Sequence, residues 1–176
     1  MQFIKLFFIF LLCYPIILFS QNLDDQLDAL NAELALIKAQ EDELLAKIEQ
    51  VKLQKIQVDL NKNGLPKVET GETVIYHSAM SLVYSEEHEQ AKWVAHIISP
   101  DMITGNVSRT NDFRPDPQVS TGSTVEEDYF LKYLQADSSY KYDGYGFDRG
   151  HLAPSADFRW STTALSESYF YSNMSP

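Results

Sequence analysis

Asp148, Arg149, Gly150 and His151 stand together in a stretch, Tyr145–Pro176, that reads YGFDRGHLAPSADFRWSTTALSESYFYSNMSP. An imidazole with its ordinary pKa near 6.5 is mostly neutral at pH 7, so His151 is a candidate general base. A guanidinium keeps its proton and presents a planar fork of donors that suits phosphate oxygens, so Arg149 is a candidate clamp rather than a base. Gly150 between them lets backbone approach a ligand closely. Four residues alone are weak, because a lone histidine is more often structural than catalytic. The surroundings add weight: a strand-like run over Tyr145–His151, an irregular loop with Pro154 and Asp157, and a second strand-like run over Tyr169–Ser175. Of the four arginines in the chain, Arg109 and Arg114 lie in the long loop Asp101–Ser123, where the bland reading of either is a surface charge.

The rest of the chain must deliver and position this segment. Met1–Ser20 has a basic start at Lys5 and an apolar run, Leu6–Phe19, of 14 residues. A spanning helix needs about 20, so a signal peptide cleaved after Ser20 is expected, with no stable membrane span and a secreted or periplasmic destination. The single cysteine, Cys13, lies in this leader, which excludes a disulfide framework or a cysteine zinc site downstream. From Leu23 to Val58, positions 23, 27, 30, 34, 37, 41, 44, 48, 51, 55 and 58 alternate in steps of four and three, and only Glu41 and Lys55 among them are polar. That is a heptad seam of about five heptads, which predicts a coiled-coil helix over residues 21–61 and a homo-oligomer through it. A helix folded back on its own domain is the alternative. Gly64 and Pro66 end the helix and mark the domain boundary. Thr73–Tyr84 and Lys92–Ser99, joined by the polar turn Ser85–Gln90, predict a hairpin. Thr124 and Glu127 are placed as a capping box for a short helix over Thr124–Gln135, and Lys141–Gly146 reads as a turn. His77, His88 and His96 fit no metal-ligand spacing and read as surface or core histidines. The net charge of −11 argues against non-specific nucleic-acid binding, unless local arginines and a metal ion reverse it at one site.

YGFDRGHLAPSADF followed by YFYSNMSP resembles the DNA/RNA non-specific endonuclease family, which is endonuclease G-like and belongs to the ββα-metal nucleases. VAHII in the hairpin and the order Arg109, Phe113, Asp116 extend the likeness over residues 65–176. The resemblance implies an α+β domain of the ββα-metal nuclease type, here incomplete because it lacks the metal-binding helix, preceded by the coiled-coil helix. It implies hydrolysis of phosphodiester bonds in DNA and RNA without sequence specificity, leaving 5′-phosphates. His151 would activate water, Arg149 would match the motif arginine, and Arg109 would match the upstream arginine that supports the transition state. Arg114 is the alternate for that role and a candidate substrate contact. Asp148 is grouped with it and would orient the turn or pair with an arginine. Mg²⁺, or another divalent cation, is the implied cofactor. Its asparagine ligand is expected beyond Pro176, so no metal ligand is assigned within the chain, and Asn173 is not a substitute. On this reading the chain is C-terminally truncated and has little or no nuclease activity. The alternative is a non-catalytic nucleic-acid-binding or coiled-coil interaction module that keeps a nuclease-like fold.

Overall fold

The structure, a computed structural model, describes residues 3–176, with side chains from residue 22 onward apart from 101, 142, 143 and 145. The leader expected at Met1–Ser20, with Lys5 and Cys13, therefore lies outside the described side chains. No helix among the described residues is long and apolar enough to cross a membrane. The chain divides into two compact units, Met1–Ile48 and Glu49–Pro176. Helix α1 (Phe3–Asn63) contributes to both.

In the first unit the heptad stripe is bare. Leu23, Leu27, Leu30, Leu34, Ile37, Leu44 and Ile48 are all exposed. A stripe this narrow gains nothing from water, and an isolated amphipathic helix needs a partner to bury it.

In the second unit the last turns of α1 are part of a folded domain. Leu53, Ile56 and Leu60, again spaced by three and four, pack into its core. The seam positions Val51 and Val58 lie roughly on the opposite face at 3.6 residues per turn, and they are 64% and 62% exposed. Glu49 accepts from the Ser161 hydroxyl and from the Thr163 amide, and the Gln57 amide nitrogen donates to the His77 carbonyl. The domain boundary expected at Gly64 is thus displaced to Glu49. A second apolar face, with the same period as the seam and out of phase with it, carries this packing.

The domain is α+β. Strands β1 (Val74–Tyr76), β2 (Met80–Ser85) and β3 (Gln90–His96) form an antiparallel sheet in that order. Val83 pairs with Val74 on one side and Trp93 on the other, and a bulge follows at Val83/Tyr84. β2 is the central strand and is almost wholly buried, which accounts for its run of apolar residues where an edge strand would alternate. A four-residue helix, α2 (Pro100–Ile103), opens the long loop. Gly105 is required there: a Cβ would lie 2.3 Å from the carbonyl carbon of Arg159 and the amide nitrogen of Trp160.

The expected helix over Thr124–Gln135 is only a 3₁₀ turn, Glu126–Tyr129, followed by β4 (Phe130–Leu134). The Asp128 carboxylate, not Glu127, accepts from the amide before that turn, at Val125. The expected turn at Lys141–Gly146 is instead β5 (Tyr140–Tyr145), which pairs antiparallel with β4. Tyr129 to Tyr133 is rich in aromatic residues, and cross-strand pairing favours such a run over a helix. The strand expected over Tyr145–His151 shrinks to β6 (Gly150–His151). The strand expected over Tyr169–Ser175 becomes a 3₁₀ turn, Tyr171–Asn173, and β7 (Met174–Ser175). Between them lies α3 (Thr162–Glu167), capped by the Ser161 hydroxyl, which accepts from the Ala164 amide at 3.0 Å. The main core gathers Ile56, Leu60, Met80, Phe158, Leu165 and Tyr169, a smaller cluster gathers Tyr129, Tyr171 and Met174, and Phe113 packs against both.

Candidate active site

β6 and β7 bring the two halves of the signature segment together. Gly150 pairs with Ser175 and His151 with Met174. A ladder of two pairs is too short to hold itself, and Asn173 locks it. The Asn173 amide oxygen accepts from the Ala153 amide at 2.9 Å, while its nitrogen donates to the Ala153 and Ser168 carbonyls at 3.0 and 2.8 Å. The Leu152 amide donates to the Asn173 carbonyl at 2.9 Å. Gly150 serves this pairing too, since a Cβ there would meet the Ser175 carbonyl oxygen at 3.1 Å.

His151 is half-buried. Its ring lies 5.1 Å from that of Tyr169, edge to face, and 5.7 Å from that of Phe113. Its Nε2 is shielded from solvent and has no hydrogen-bond partner among the described residues. Burial, and then the positive charge of Arg109, push its pKa down to about 4. The imidazole is therefore neutral throughout the physiological range with one nitrogen unbonded.

Three of the candidates surround this ring or its aromatic neighbours. Arg109 is exposed on its loop, and its Nε donates to the Tyr169 hydroxyl at 3.2 Å. Arg149 lies with its guanidinium carbon 3.9 Å from the centre of the Phe113 ring. It meets Glu126 at 3.5 Å and bonds the Tyr171 hydroxyl. Asp148 is exposed and lines, with Phe113, Phe147 and Arg149, a cleft of about 350 Å³. Phe113 and Tyr169 thus connect His151 to both arginines. Neither stands out in sequence beyond the Arg109, Phe113, Asp116 order, because aromatic residues are common throughout this domain.

Arg114 sits elsewhere. It donates to the Asp112 carboxylate, to the Ser166 carbonyl at 3.0 Å and to the Ser166 hydroxyl at 2.9 Å, and its guanidinium covers the Phe170 ring at 4.3 Å. A guanidinium with its fork so occupied ties the loop to α3, away from the His151 ring.

Asp116 is the centre of a buried network. Its carboxylate accepts from the Ser172 hydroxyl at 2.5 Å, from the Gln118 amide at 2.9 Å and from His77 Nε2 at 2.9 Å. Gln118 Nε2 is a donor only and reaches His77 Nδ1 at 3.2 Å, so the His77 proton lies on Nε2, facing Asp116. Burial pushes the Asp116 pKa up, but the bonds from His77, Ser172 and Gln118 outweigh it and hold the pKa below its ordinary value. His96 bonds Asp157 at 3.0 Å and His88 is exposed, so these histidines have the bland roles expected of them.

The described residues do not fit a metal ion. They hold no group of three His, Cys, Asp or Glu side chains able to coordinate one. Asn173 has both ends of its amide engaged, and the Asp116 oxygens are bonded to His77, Ser172 and Gln118.

A family model described as DNA/RNA non-specific endonuclease matches residues 56–176. Nuclease EXOG, mitochondrial, from Danio rerio is 30% identical over 118 residues, covering 66% of this chain and 30% of its own length. Endonuclease G, mitochondrial, from Homo sapiens is 32% identical over 122 residues, covering 67% and 35%. The chain thus spans about a third of the length of the curated relatives it matches. Among solved structures, a complex of EndoG with EndoGI, described as revealing the mechanism of EndoG inhibition, matches with a TM-score of 0.50 and 26% identity, over 65% of this chain and 42% of that one. The α+β architecture is that of the ββα-metal nucleases. These relatives also correct the expected destination. They are named as mitochondrial nucleases, and the secreted or periplasmic location expected from the leader is overturned.

Proposed function

The chain belongs to the DNA/RNA non-specific endonuclease family, and on that premise we propose that residues 49–176 hydrolyse phosphodiester bonds in DNA and RNA with His151 as general base. A neutral, half-buried His151 beside the cation of Arg109 is the observation that carries this reading. A water between the imidazole and a backbone phosphate would give its proton to the ring as its oxygen attacks phosphorus. The bond to the 3′-oxygen breaks, that oxygen takes a proton from solvent, and the 5′-phosphate is released. Arg109 is exposed and able to hold a non-bridging oxygen, and Arg149 is held over Phe113 at the edge of the cleft for a second phosphate contact. Asp148, an anion at the same edge, would set the orientation of the turn rather than meet a phosphate directly.

A base with a pKa near 4 is weak at pH 7. An anionic phosphate would correct this. It would neutralise Arg109, whose charge is the second cause of the low value, and would favour the imidazolium by its own charge. The base would thus strengthen when substrate arrives. A divalent cation, when bound, supplies Lewis-acid charge to a phosphate oxygen; the described side chains offer no ligand set for one, and no step above runs through it.

Two measurements test the proposal. In the first, supercoiled plasmid is incubated with the protein in Mg²⁺ buffer, and nicked and linear products are expected. In the second, the His151 Cε1 proton is followed by NMR while a short phosphodiester is added, and a rise in the His151 pKa is expected. No cleavage together with no rise would leave the second reading, a non-catalytic module, which the net charge of −11 favours.

A further inference from the structure

We infer that α1 pairs with a second copy of this chain as an antiparallel two-stranded coiled coil, through positions Leu23 to Lys55. The inference concerns a surface outside the candidate active site and stands whether or not the domain is a nuclease. Seven apolar seam residues between Leu23 and Ile48 are exposed, and the steps of the whole stripe from Leu23 to Val58 average 3.5 residues. That period matches a facing helix and is shorter than the 3.6 of a helix lying on a globular surface. The same seam continues on the domain as Val51 and Val58, on the face turned away from the core contacts of Leu53, Ile56 and Leu60. The domain therefore leaves this face of its own helix free.

The charges say which partner and which way round. In a parallel pair in register, each seam residue meets its own copy. Glu41 would face Glu41 and Lys55 would face Lys55 inside the seam, and Lys47 would flank Lys52 of the second copy, with Glu33 beside Lys38 the one opposite-charge flank. Like charges at these positions oppose pairing. In an antiparallel pair with Leu34 opposite Leu44 of the second copy, Leu30 meets Ile48, Leu27 meets Val51, and Ile37 meets the stem of Glu41. Lys55 falls at the end of the rod, opposite Leu23. On the flanks Glu33 comes beside Lys47 of the second copy, and the two-fold axis makes this contact twice. Lys47 already holds Glu43 at 2.6 Å on an exposed surface, with room for a second acid. One like pair remains, Lys38 beside its own copy at the axis, where long side chains can diverge into water. The seam itself is free of like-charge pairs only when reversed, which favours a reversed second copy as the occupant.

The test uses the full chain in a Cys13→Ser background. Sedimentation equilibrium at tens of micromolar should give twice the 20.1 kDa chain mass, and Leu34→Asp should give a monomer whose near-ultraviolet spectrum, read from the domain, is unchanged. For orientation, Leu34→Cys protein is oxidised alone and as an equimolar mixture with Leu44→Cys protein. The mixture should form a disulfide-linked dimer, and Leu34→Cys alone should not. A wild-type monomer, or a trimer or larger assembly, would overturn the inference outright. Efficient linking of Leu34→Cys to itself would overturn the antiparallel orientation.

Discussion

His77 and His151 are each packed against aromatic rings, Phe170 at 5.0 Å for the first and Tyr169 at 5.1 Å for the second. They differ in what their nitrogens meet. Both nitrogens of His77 are bonded, one to Asp116 and one to Gln118, and its side chain is fully buried. Nε2 of His151 meets no polar group among the described residues, and burial, then the cation of Arg109, lowers the pKa of its ring. A histidine whose hydrogen bonds are all made within the protein can accept a proton only by breaking one of them, so it serves as a strut. A half-buried histidine with a nitrogen that no protein group engages can bind a proton without breaking such a bond, at the cost of an unsatisfied polar atom. The same residue type thus marks the scaffold in one region and the candidate chemistry in the other.

The sharpest way to break this contrast is to remove each ring. His151→Ala should lower plasmid cleavage by about 10²–10⁴-fold, the usual contribution of a positioned general base, with the urea midpoint nearly unchanged. Comparable cleavage by the variant would end the assignment of His151 as base. His77→Ala should do the reverse. It removes one of the three donors to the buried Asp116 carboxylate, which costs about 1–3 kcal/mol. Activity should fall only as far as the folded fraction falls. An unaltered urea midpoint in His77→Ala would remove the strut from the account.

The two regions were unequally legible in sequence. DRGH and SNMSP carry the family likeness, and the residues picked from them and from the upstream loop, His151, Arg149 and Arg109, do gather around Phe113 and Tyr169. The strut was invisible, because its hydrogen bonds join residues 39 and 56 positions apart, and no local pattern encodes such separations. Asn173 shows the same limit. It reads as a strand residue, yet its side chain is the clamp that lets a two-pair ladder hold His151 in place. Arg114 looked equivalent to Arg109 as a loop cation, and only the fold shows that it bonds Asp112 and Ser166 while Arg109 bonds Tyr169. On α1 the regular seam concealed the second face. Leu53, Ile56 and Leu60 have the same period as the seam, so periodicity alone could not say that the helix enters the domain before Asn61.

A smaller effect follows from pH. His151 has a pKa of about 4 in the folded chain, below the ordinary value near 6.5 that it regains on unfolding. The folded imidazole stays neutral where the unfolded one has already bound a proton. Its contribution to stability is complete above pH 6.5 and is lost as pH falls from there toward 4. The decline in urea midpoint between pH 7 and pH 5 should therefore be shallower in His151→Ala than in the wild type. The Cε1 proton should report no titration of His151 between pH 8 and pH 5.5. A midpoint at 6.5 or above would mean that the ring is solvated like any surface histidine, and the contrast with His77 would lose its electrostatic half.

The finest test acts on the residue that joins His151 to Arg149. Phe113 touches Arg149 through its face and His151 through a tilted ring contact, and it packs against both hydrophobic clusters. Phe113→Leu keeps an apolar side chain of moderate size but removes the ring. The cation–π contact with Arg149 should be lost, about 0.5–2 kcal/mol, and the wall that keeps water from His151 should thin. The pKa of His151 should then rise toward its ordinary value, while the hydrogen bonds of His77 and Asp116 remain as they are. Phe113→Tyr restores an aromatic face and should restore the low value. A variant in which the His151 pKa stays near 4 would show that Arg109 and Tyr169 are enough to set the charge state of the ring, and that Phe113 serves the packing of the clusters alone.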